Sequence, residues 1–102
     1  MATTEPVVVV AHWKTTEGAL ATVLAHVAAL RPHSLAEPGC LGYEACQSVD
    51  DPTSLVLIEH YRDTTAQEAH VGSPHYQELV VERIRPLLTD RRVEILWPRD
   101  AT

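Results

Sequence analysis

The sequence has little positive charge. Its 102 residues include 8 Lys and Arg against 14 Asp and Glu, for a formal net charge of −6, and Lys14 is the only lysine. Recognition of a phosphate backbone needs clustered basic side chains, so this balance argues against nucleic acid as a partner. The simplest interpretation of the densest basic group is a solvated helix end and strand start, and the alternative is a small anion-binding patch. This group comprises Arg83, Arg85, Arg91 and Arg92.

Long apolar runs are also lacking. No stretch approaches the roughly 20 apolar residues that a membrane span requires, so no membrane partner is expected. The N-terminal residues Met1–Pro6 do not combine a basic start with an apolar stretch, which a signal peptide would show. We therefore expect a cytoplasmic protein.

Cysteine is scarce, and the two that occur do not suggest a disulfide or a metal site. Cys40 and Cys46 fall at the two ends of one predicted strand, about 20 Å apart at roughly 3.3 Å per residue. A disulfide needs Cα atoms within about 7 Å, so both are expected as reduced, buried thiols. The six histidines form no His-Glu-x-x-His or comparable ligand set, and no metal is expected.

What the sequence does contain is a regular alternation of apolar patterns. Hydrophobic residues make up 45% of the chain, enough for one core, and we expect a single domain over residues 1–102 with its core in about 6–97. β-Branched alternation predicts strands, and apolar residues three and four apart predict helices. The predicted strands are 7–14, 40–49, 54–62 and 91–97, and the predicted helices are 17–35, 64–71 and a last one that starts at Ser73-Pro74.

This order, β-α-β-β-α(α)-β, is that of an α+β, ferredoxin-like fold: a four-stranded antiparallel sheet with its helices on one face. The other face stays open, yet it is apolar. Because an exposed apolar sheet face of that size predicts a partner, and a second copy is the simplest one, we expect a homodimer through this face. The residues that make the open face apolar are Val8, Val10, Val56 and Ile58.

Three segments carry a resemblance to a known family. They are EPGCLGYE at 37–44, IEHYRD at 58–63 and EAHVGSPHY at 68–76. In order and spacing they resemble the antibiotic biosynthesis monooxygenase (ABM) domain family over about residues 6–97. The resemblance implies a dimeric α/β barrel with a pocket between the sheet and the helices of each protomer.

Members of the family that the sequence resembles include cofactor-free oxygenases of anthrones and quinols, haem-degrading oxygenases, and isomerases of small oxygenated metabolites. Val80 falls where the haem branch has its axial His, so the resemblance implies no haem, and flavin and metal are likewise not expected. The isomerase and quinol-oxygenase branches are the more similar ones. Their Glu, aromatic and two His residues correspond to Glu59, Tyr61, His70 and His75.

Three of these residues are the candidate catalytic group. Burial of Glu59 would raise its pKa and suit it to proton transfer, the Tyr61 hydroxyl could donate to a developing oxyanion, and His70 suits base chemistry near neutral pH. Structural alternatives stay open for each: an ion pair for Glu59, a core aromatic for Tyr61 and a packing role for His70. The candidate substrate-binding residues are Leu57, Gln67, His75 and Tyr76.

The resulting hypothesis is a cofactor-independent monooxygenase that oxidises a small aromatic, quinol or polyketide-like substrate with O2. The first alternative is a proton-transfer isomerase of a small oxygenated metabolite, which could use the same three residues. The second is a non-catalytic dimer that binds a small ligand, because a shared fold does not by itself fix function.

Overall fold

The computed structural model describes residues 5–99. Within them the chain forms four strands and three helices in the predicted order. A short 3₁₀ turn, Arg85–Leu87, joins the last helix to the last strand. The strands are β1 (Val7–Thr15), β2 (Cys40–Gln47), β3 (Ser54–Tyr61) and β4 (Leu88–Leu96), and the helices are α1 (Glu17–Leu35), α2 (Thr64–Val71) and α3 (Tyr76–Ile84).

The strands form one antiparallel sheet in the order β2-β3-β1-β4, which confirms the predicted ferredoxin-like arrangement. Alternate residues of β1 and β3 are buried under the helices, in the period of two that a strand imposes. In register, Val9 faces both Glu59 of β3 and Ile95 of β4. The inner face of the sheet therefore presents one acidic side chain within an apolar surface.

Helix α1 is capped by Thr16, whose hydroxyl accepts a hydrogen bond from the Ala19 amide, as an N-cap does. It buries a narrow stripe that contacts the sheet: Val23, Val27, Leu30 and Ser34. The apolar spacing of the helix predicts that Leu24 also lies in that stripe, but it is 37% exposed. The sequence-based expectation was wrong there because one sheet covers only the central line of the helix.

Helix α2 lies against the start of β2 because a glycine permits the approach. A Cβ atom added at Gly39 would come within 2.3 Å of the Ala66 Cβ, which no packing tolerates. Asp is a favoured N-cap residue, so the sequence predicts a cap at Asp63, and its carboxylate does accept from the Ala66 amide at 2.8 Å. This close contact determines where the end of α2, and with it His70, lies above the sheet.

Helix α3 is wound as a π-helix over Tyr76–Ile84. The predicted cap is confirmed just before it, where the Ser73 hydroxyl accepts from the Tyr76 amide at 3.3 Å. A proline is expected to kink or tighten the end of a helix, and Pro86 lies in the 3₁₀ turn Arg85–Leu87 directly after α3. The π winding was not predicted, and it changes which side chains share a face of α3.

The helices all contact the inner face of the sheet, and the outer face carries the expected half-buried apolar side chains of β1 and β3. None of the helices among residues 5–99 is long and apolar enough to cross a membrane. Cys40 and Cys46 are free thiols, but Cys46 is exposed, so its expected burial was wrong. The cytoplasmic location and the single domain over 1–102 stay predictions, and residues 1–4 and 100–102 lie outside the described part.

Candidate active site

A cavity of about 230 Å³ lies between the inner face of the sheet and helices α2 and α3. It is smaller than the roughly 300–1,000 Å³ typical of sites for drug-sized ligands, so it suits a small one. It opens beside β4, where Val93 and Ile95 of the inner face remain 38% and 55% exposed. The other residues of its wall are Val9, Ala11, Trp13, Tyr43, Glu59, Gln67, His70, Val71, Tyr76, Val80, Arg85 and Arg91.

Three polar side chains gather at the end of the cavity under α2, which we call the closed end: Glu59, Tyr61 and His70. All are buried, with relative exposures of 6%, 0% and 2%. The Tyr61 hydroxyl donates to Glu59 Oε1 at 2.6 Å. His70 Nε2 lies 3.6 Å from the same oxygen. The structure thus brings together the three residues that the sequence suggested as a catalytic group.

Burial controls the protonation of this group. Desolvation raises the pKa of Glu59 to about 7, although the hydrogen bond from Tyr61 acts in the opposite direction. Desolvation also raises the pKa of Tyr61, so its phenol remains a hydrogen-bond donor. It lowers the pKa of His70, more than the nearby Glu37 carboxylate raises it. His70 is therefore a neutral base at neutral pH, beside a carboxyl group that titrates there.

Glu37 orients His70. Its Oε2 lies 2.8 Å from His70 Nδ1, and a carboxylate there accepts a hydrogen bond from the imidazole N–H. Nδ1 then carries the hydrogen, and the lone pair of Nε2 points towards Glu59 and the cavity. A carboxylate that fixes the tautomer of a catalytic histidine in this way is familiar from hydrolase triads.

The same Glu37 oxygen contacts a second histidine. His75 Nε2 lies 2.5 Å from it, and the His75 ring stacks on His33 with centroids 5.6 Å apart. Glu37, His70 and His75 are also the group, among residues 5–99, whose potential metal-ligand atoms all lie within 4.8 Å of one another. In this structure hydrogen bonds to the carboxylate join the three side chains.

The opposite end of the cavity, which we call the open end, is formed by Trp13, Arg85 and Arg91. Arg91 is the register partner of Trp13 across β1 and β4. Arg85 donates to the Tyr76 hydroxyl at 3.5 Å. The cavity thus runs from a buried acid–base group to a pair of cations, with apolar walls between them.

The expected substrate-binding residues divide into two pairs. Gln67 and Tyr76 line the cavity. Leu57 is fully buried in the hydrophobic core and is not part of the cavity wall, whereas His75 lies beyond Glu37, beside another surface depression. Tyr61 is not part of the cavity wall and contacts Glu59, which is. The catalytic and binding roles assigned to all these residues stay predictions.

Sequence reasoning missed Glu37 and the open end. The sequence Glu37-Pro38-Gly39 indicates only a turn, and the partners of Glu37 lie 33 and 38 residues further along the chain, so no local pattern connects them. Arg85 and Arg91 were noticed as basic residues but were not connected to the pocket. The signal that could have found Arg91 is strand alternation, which puts it on the same face as Val93 and Ile95.

Comparisons with known proteins agree with this architecture. The family model described as antibiotic biosynthesis monooxygenase matches residues 6–82. The chain is 34% identical over 97 residues to a Mycobacterium tuberculosis protein named "Putative monooxygenase Rv0793", with 95% of each chain covered. The structure of Rv0793 superposes with a TM-score of 0.88 and 35% identity, covering 94% of this chain and 97% of that one. For PA3566 from Pseudomonas aeruginosa the TM-score is 0.86 at 26% identity, with 94% and 96% covered.

Proposed function

This chain belongs to the antibiotic biosynthesis monooxygenase family, and on that premise we propose that it is a cofactor-independent monooxygenase of a small aromatic, quinol or polyketide-like substrate. The observation that carries the proposal is the arrangement at the closed end. A neutral imidazole, oriented by Glu37 at 2.8 Å, faces an apolar cavity of about 230 Å³. No haem, flavin or metal takes part in the proposed scheme.

The first step is the removal of a proton from the substrate. His70 Nε2 takes it from an acidic phenol, enol or ring-activated C–H group, and the Glu37 carboxylate stabilises the imidazolium that forms. The resulting carbanion or phenolate is electron-rich enough to reduce O2 directly. The chain's part is to generate this anion where water is excluded.

The atoms and electrons balance without a further reductant. For a methylene group activated by aromatic rings, one oxygen atom of O2 replaces the two hydrogens to form a carbonyl, and the other leaves as water with those two hydrogens. All four electrons that O2 accepts come from the substrate. His70 returns its proton when the peroxide intermediate breaks down.

Glu59 and Tyr61 position the substrate oxygen in this scheme. Because the pKa of Glu59 is raised to about 7, a protonated fraction is present at neutral pH and can donate a hydrogen bond to an oxyanion. Tyr61 supports that carboxyl group through its bond at 2.6 Å. Donors placed where negative charge develops stabilise the transition state.

Oxygen uptake tests the proposal. The parent protein, His70→Gln and His26→Gln are compared on a panel of anthrones and hydroquinones, with ¹⁸O2 to follow one labelled atom into the product. Loss of the base should slow uptake by about 10²–10⁴-fold in His70→Gln. His26 lies half-buried on α1 away from the cavity, so its variant should retain the parent rate. No uptake by the parent on any substrate of the panel would contradict the proposal.

A proton-transfer isomerase is the second candidate, and one distance favours it. Glu59 Oε1 and His70 Nε2 lie 3.6 Å apart, so one group could remove a proton and the other could return it at a neighbouring atom. The same reactions run without oxygen separate the two chemistries. Turnover that persists anaerobically supports the isomerase, and binding without turnover in either condition supports a non-catalytic ligand-binding protein.

We also propose that the chain forms a homodimer through the outer face of the sheet. Val8, Val10, Val56 and Ile58 lie there half-buried, and Leu96, the register partner of Val8, is 43% exposed. Light scattering should give twice the protomer mass for the parent and the protomer mass for Ile58→Glu. Val49→Glu is the control, since Val49 is 97% exposed. A monomeric parent would contradict the dimer.

A further inference from the structure

The basic side chains of this acidic protein are unevenly paired. Arg62, Arg83, Arg92 and Arg99 each have a carboxylate partner, as does Lys14, which contacts Asp51. Arg31 donates to the backbone oxygen of Tyr43. Arg85 and Arg91 have no carboxylate partner among residues 5–99, and both lie on the wall of the cavity.

A buried donor without an acceptor lies on the same wall. Trp13 is only 5% exposed, and its indole Nε1 is buried with no hydrogen-bond partner among the described residues. Buried donors are almost always paired, and an unpaired one needs an explanation. Trp13 is the register partner of Arg91, so the unpaired donor and an unpaired cation belong to the same end of the cavity.

The winding of α3 explains how Arg85, the residue directly after it, comes to this wall, because the Arg85 amide still donates to the Val80 carbonyl five residues back. Tyr76, Val80 and Arg85 all line the cavity. In an α-helix of 3.6 residues per turn, residues nine apart lie on opposite sides. In a π-helix, with about 4.4 residues per turn, positions four and nine residues on both return to the starting face. The hydrogen bond of 3.5 Å from Arg85 to the Tyr76 hydroxyl agrees with this shared face.

We propose that the substrate carries an anionic group, a carboxylate or a phosphate, which Arg85, Arg91 and the Trp13 indole N–H bind at the open end while a hydroxyl lies at the closed end. The inference deepens the proposed monooxygenase function and rests on it for the role of the hydroxyl. Two guanidinium groups and a neutral N–H offer donors only, and carboxylate and phosphate oxygens are the acceptors that arginine matches best.

The register of the sheet gives the length of such a substrate. Glu59 and Ile95 lie level on either side of Val9, and Arg91 precedes Ile95 by four residues. Glu59 and Arg91 are therefore separated by about 13 Å along the strands and about 10 Å across them, measured at the backbone. Side chains that extend into the cavity from both ends leave room for a body of one or two fused rings.

Calorimetric binding to the intact protein tests this with matched ligands at neutral pH. 6-Hydroxy-2-naphthoate carries the carboxylate, 2-naphthol lacks it, and 6-hydroxy-2-naphthyl phosphate replaces it by phosphate. The parent should bind the carboxylate about tenfold more tightly than 2-naphthol, because charged hydrogen bonds replace bonds to water. The phosphate arm identifies which anion the site prefers.

Substitutions then assign the preference to its residues. Arg85→Gln and Arg91→Gln should each reduce the ratio of affinities, and the double variant should abolish it, while the affinity for 2-naphthol stays unchanged. Trp13→Phe keeps an aromatic ring and removes the N–H, and should reduce the ratio by about threefold. The matched controls are Arg83→Gln and Arg92→Gln, since both arginines already pair with glutamates.

Equal affinity of the parent for 6-hydroxy-2-naphthoate and 2-naphthol overturns the inference, as does a failure of both to bind. If the ratio of the two affinities falls as much in Arg92→Gln as in Arg85→Gln and Arg91→Gln, the assignment of the anion site to the open end is overturned. Oxygen uptake separates this result from the proposed function. If the parent consumes oxygen with neutral quinols but shows no preference for the anionic ligand, only the proposed anion site is contradicted. If the parent prefers the anionic ligand but consumes no oxygen with any substrate, the monooxygenase proposal is contradicted and the anion site is supported.

Discussion

The two ends of the cavity differ in the burial and pairing of their polar groups. At the closed end Glu59, Tyr61 and His70 are buried and contact one another, with Glu37 behind them. At the open end Arg85 and Arg91 are exposed and have no carboxylate partner among residues 5–99. The closed end is complete without a ligand, whereas the open end has two cations without a carboxylate partner among residues 5–99 and a buried indole N–H without an acceptor there.

This difference separates folding from binding. Buried polar groups are costly unless each is paired, so a substitution at the closed end should change both stability and chemistry. Exposed and unpaired cations contribute little to stability. Substitutions of the two arginines at the open end should therefore change ligand selection while the fold remains as stable as before.

The largest effect on stability should come from Glu59→Gln, through its pH dependence. The pKa of Glu59 is raised from 4.5 to about 7, so the folded state holds this proton more tightly than the unfolded state. The stabilisation is complete below pH 4.5 and is lost as the pH rises through about 7. One pKa unit corresponds to about 1.4 kcal/mol, so the parent should lose about 3 kcal/mol that Glu59→Gln does not lose.

Urea denaturation of both proteins across this pH range measures the difference. His70 contributes in the opposite direction, because its lowered pKa gives stability that is present above 6.5 and decreases as the pH falls. Both proteins contain His70, so subtracting their curves isolates Glu59. Parallel curves for parent and variant would show that Glu59 is ionised like an exposed carboxylate.

Glu37→Gln should have the next largest effect, on activity. The amide can no longer stabilise the His70 imidazolium or fix its tautomer by charge, and we expect kcat to fall by roughly 10²-fold with little change in KM. Since Glu37 raises the pKa of His70, the acid limb of the kcat profile should move to lower pH. Glu37→Asp should recover part of the rate.

Glu44→Gln on β2 provides the control. Because Glu44 is exposed, this substitution should leave kcat and its pH profile unchanged. A merely structural role for Glu37 would lower the amount of folded protein without moving the acid limb. An unmoved profile in a folded Glu37→Gln protein would therefore remove Glu37 as a positioning residue.

Tyr61→Phe should have a smaller effect, which also depends on pH. The variant loses the 2.6 Å hydrogen bond to Glu59, and a buried carboxylate without its donor costs about 1–3 kcal/mol. The cost arises mainly when Glu59 is ionised, so the loss of unfolding free energy should be larger at pH 8 than at pH 5. Denaturation at the two pH values checks this, and an equal loss at both would assign Tyr61 to packing alone.

The sequence predicted the fold well because its signals are local. The alternation in β1, the apolar spacing of α1 and the cap at Asp63 each act within a few residues, and the structure has the corresponding elements. Strand β4 begins at Leu88 instead of residue 91, because it continues to pair with β1 as far as Thr15. That extension depends on a neighbouring strand and leaves no local pattern.

The candidate site could be predicted only in part, for the same reason. Glu59 and Tyr61 share a face of one strand, so their proximity follows from a period of two. The position of Glu37 depends on the fold, since it meets His70 across 33 residues. The position of Arg85 on the cavity wall depends on the π winding of α3. A helical period of 3.6 residues would predict that Arg85 lies on the opposite side of the helix.

The smallest effect on stability should come from the double substitution Arg85→Gln and Arg91→Gln. Surface substitutions away from paired groups usually change stability by less than about 0.5 kcal/mol, and both arginines are exposed without carboxylate partners among residues 5–99. Denaturation at neutral pH should therefore superimpose on that of the parent, even though the variant has lost its preference for the anionic ligand. A destabilisation of about 2 kcal/mol, comparable to that at the closed end, would mean that these arginines contribute to the fold and that the two ends are not separate.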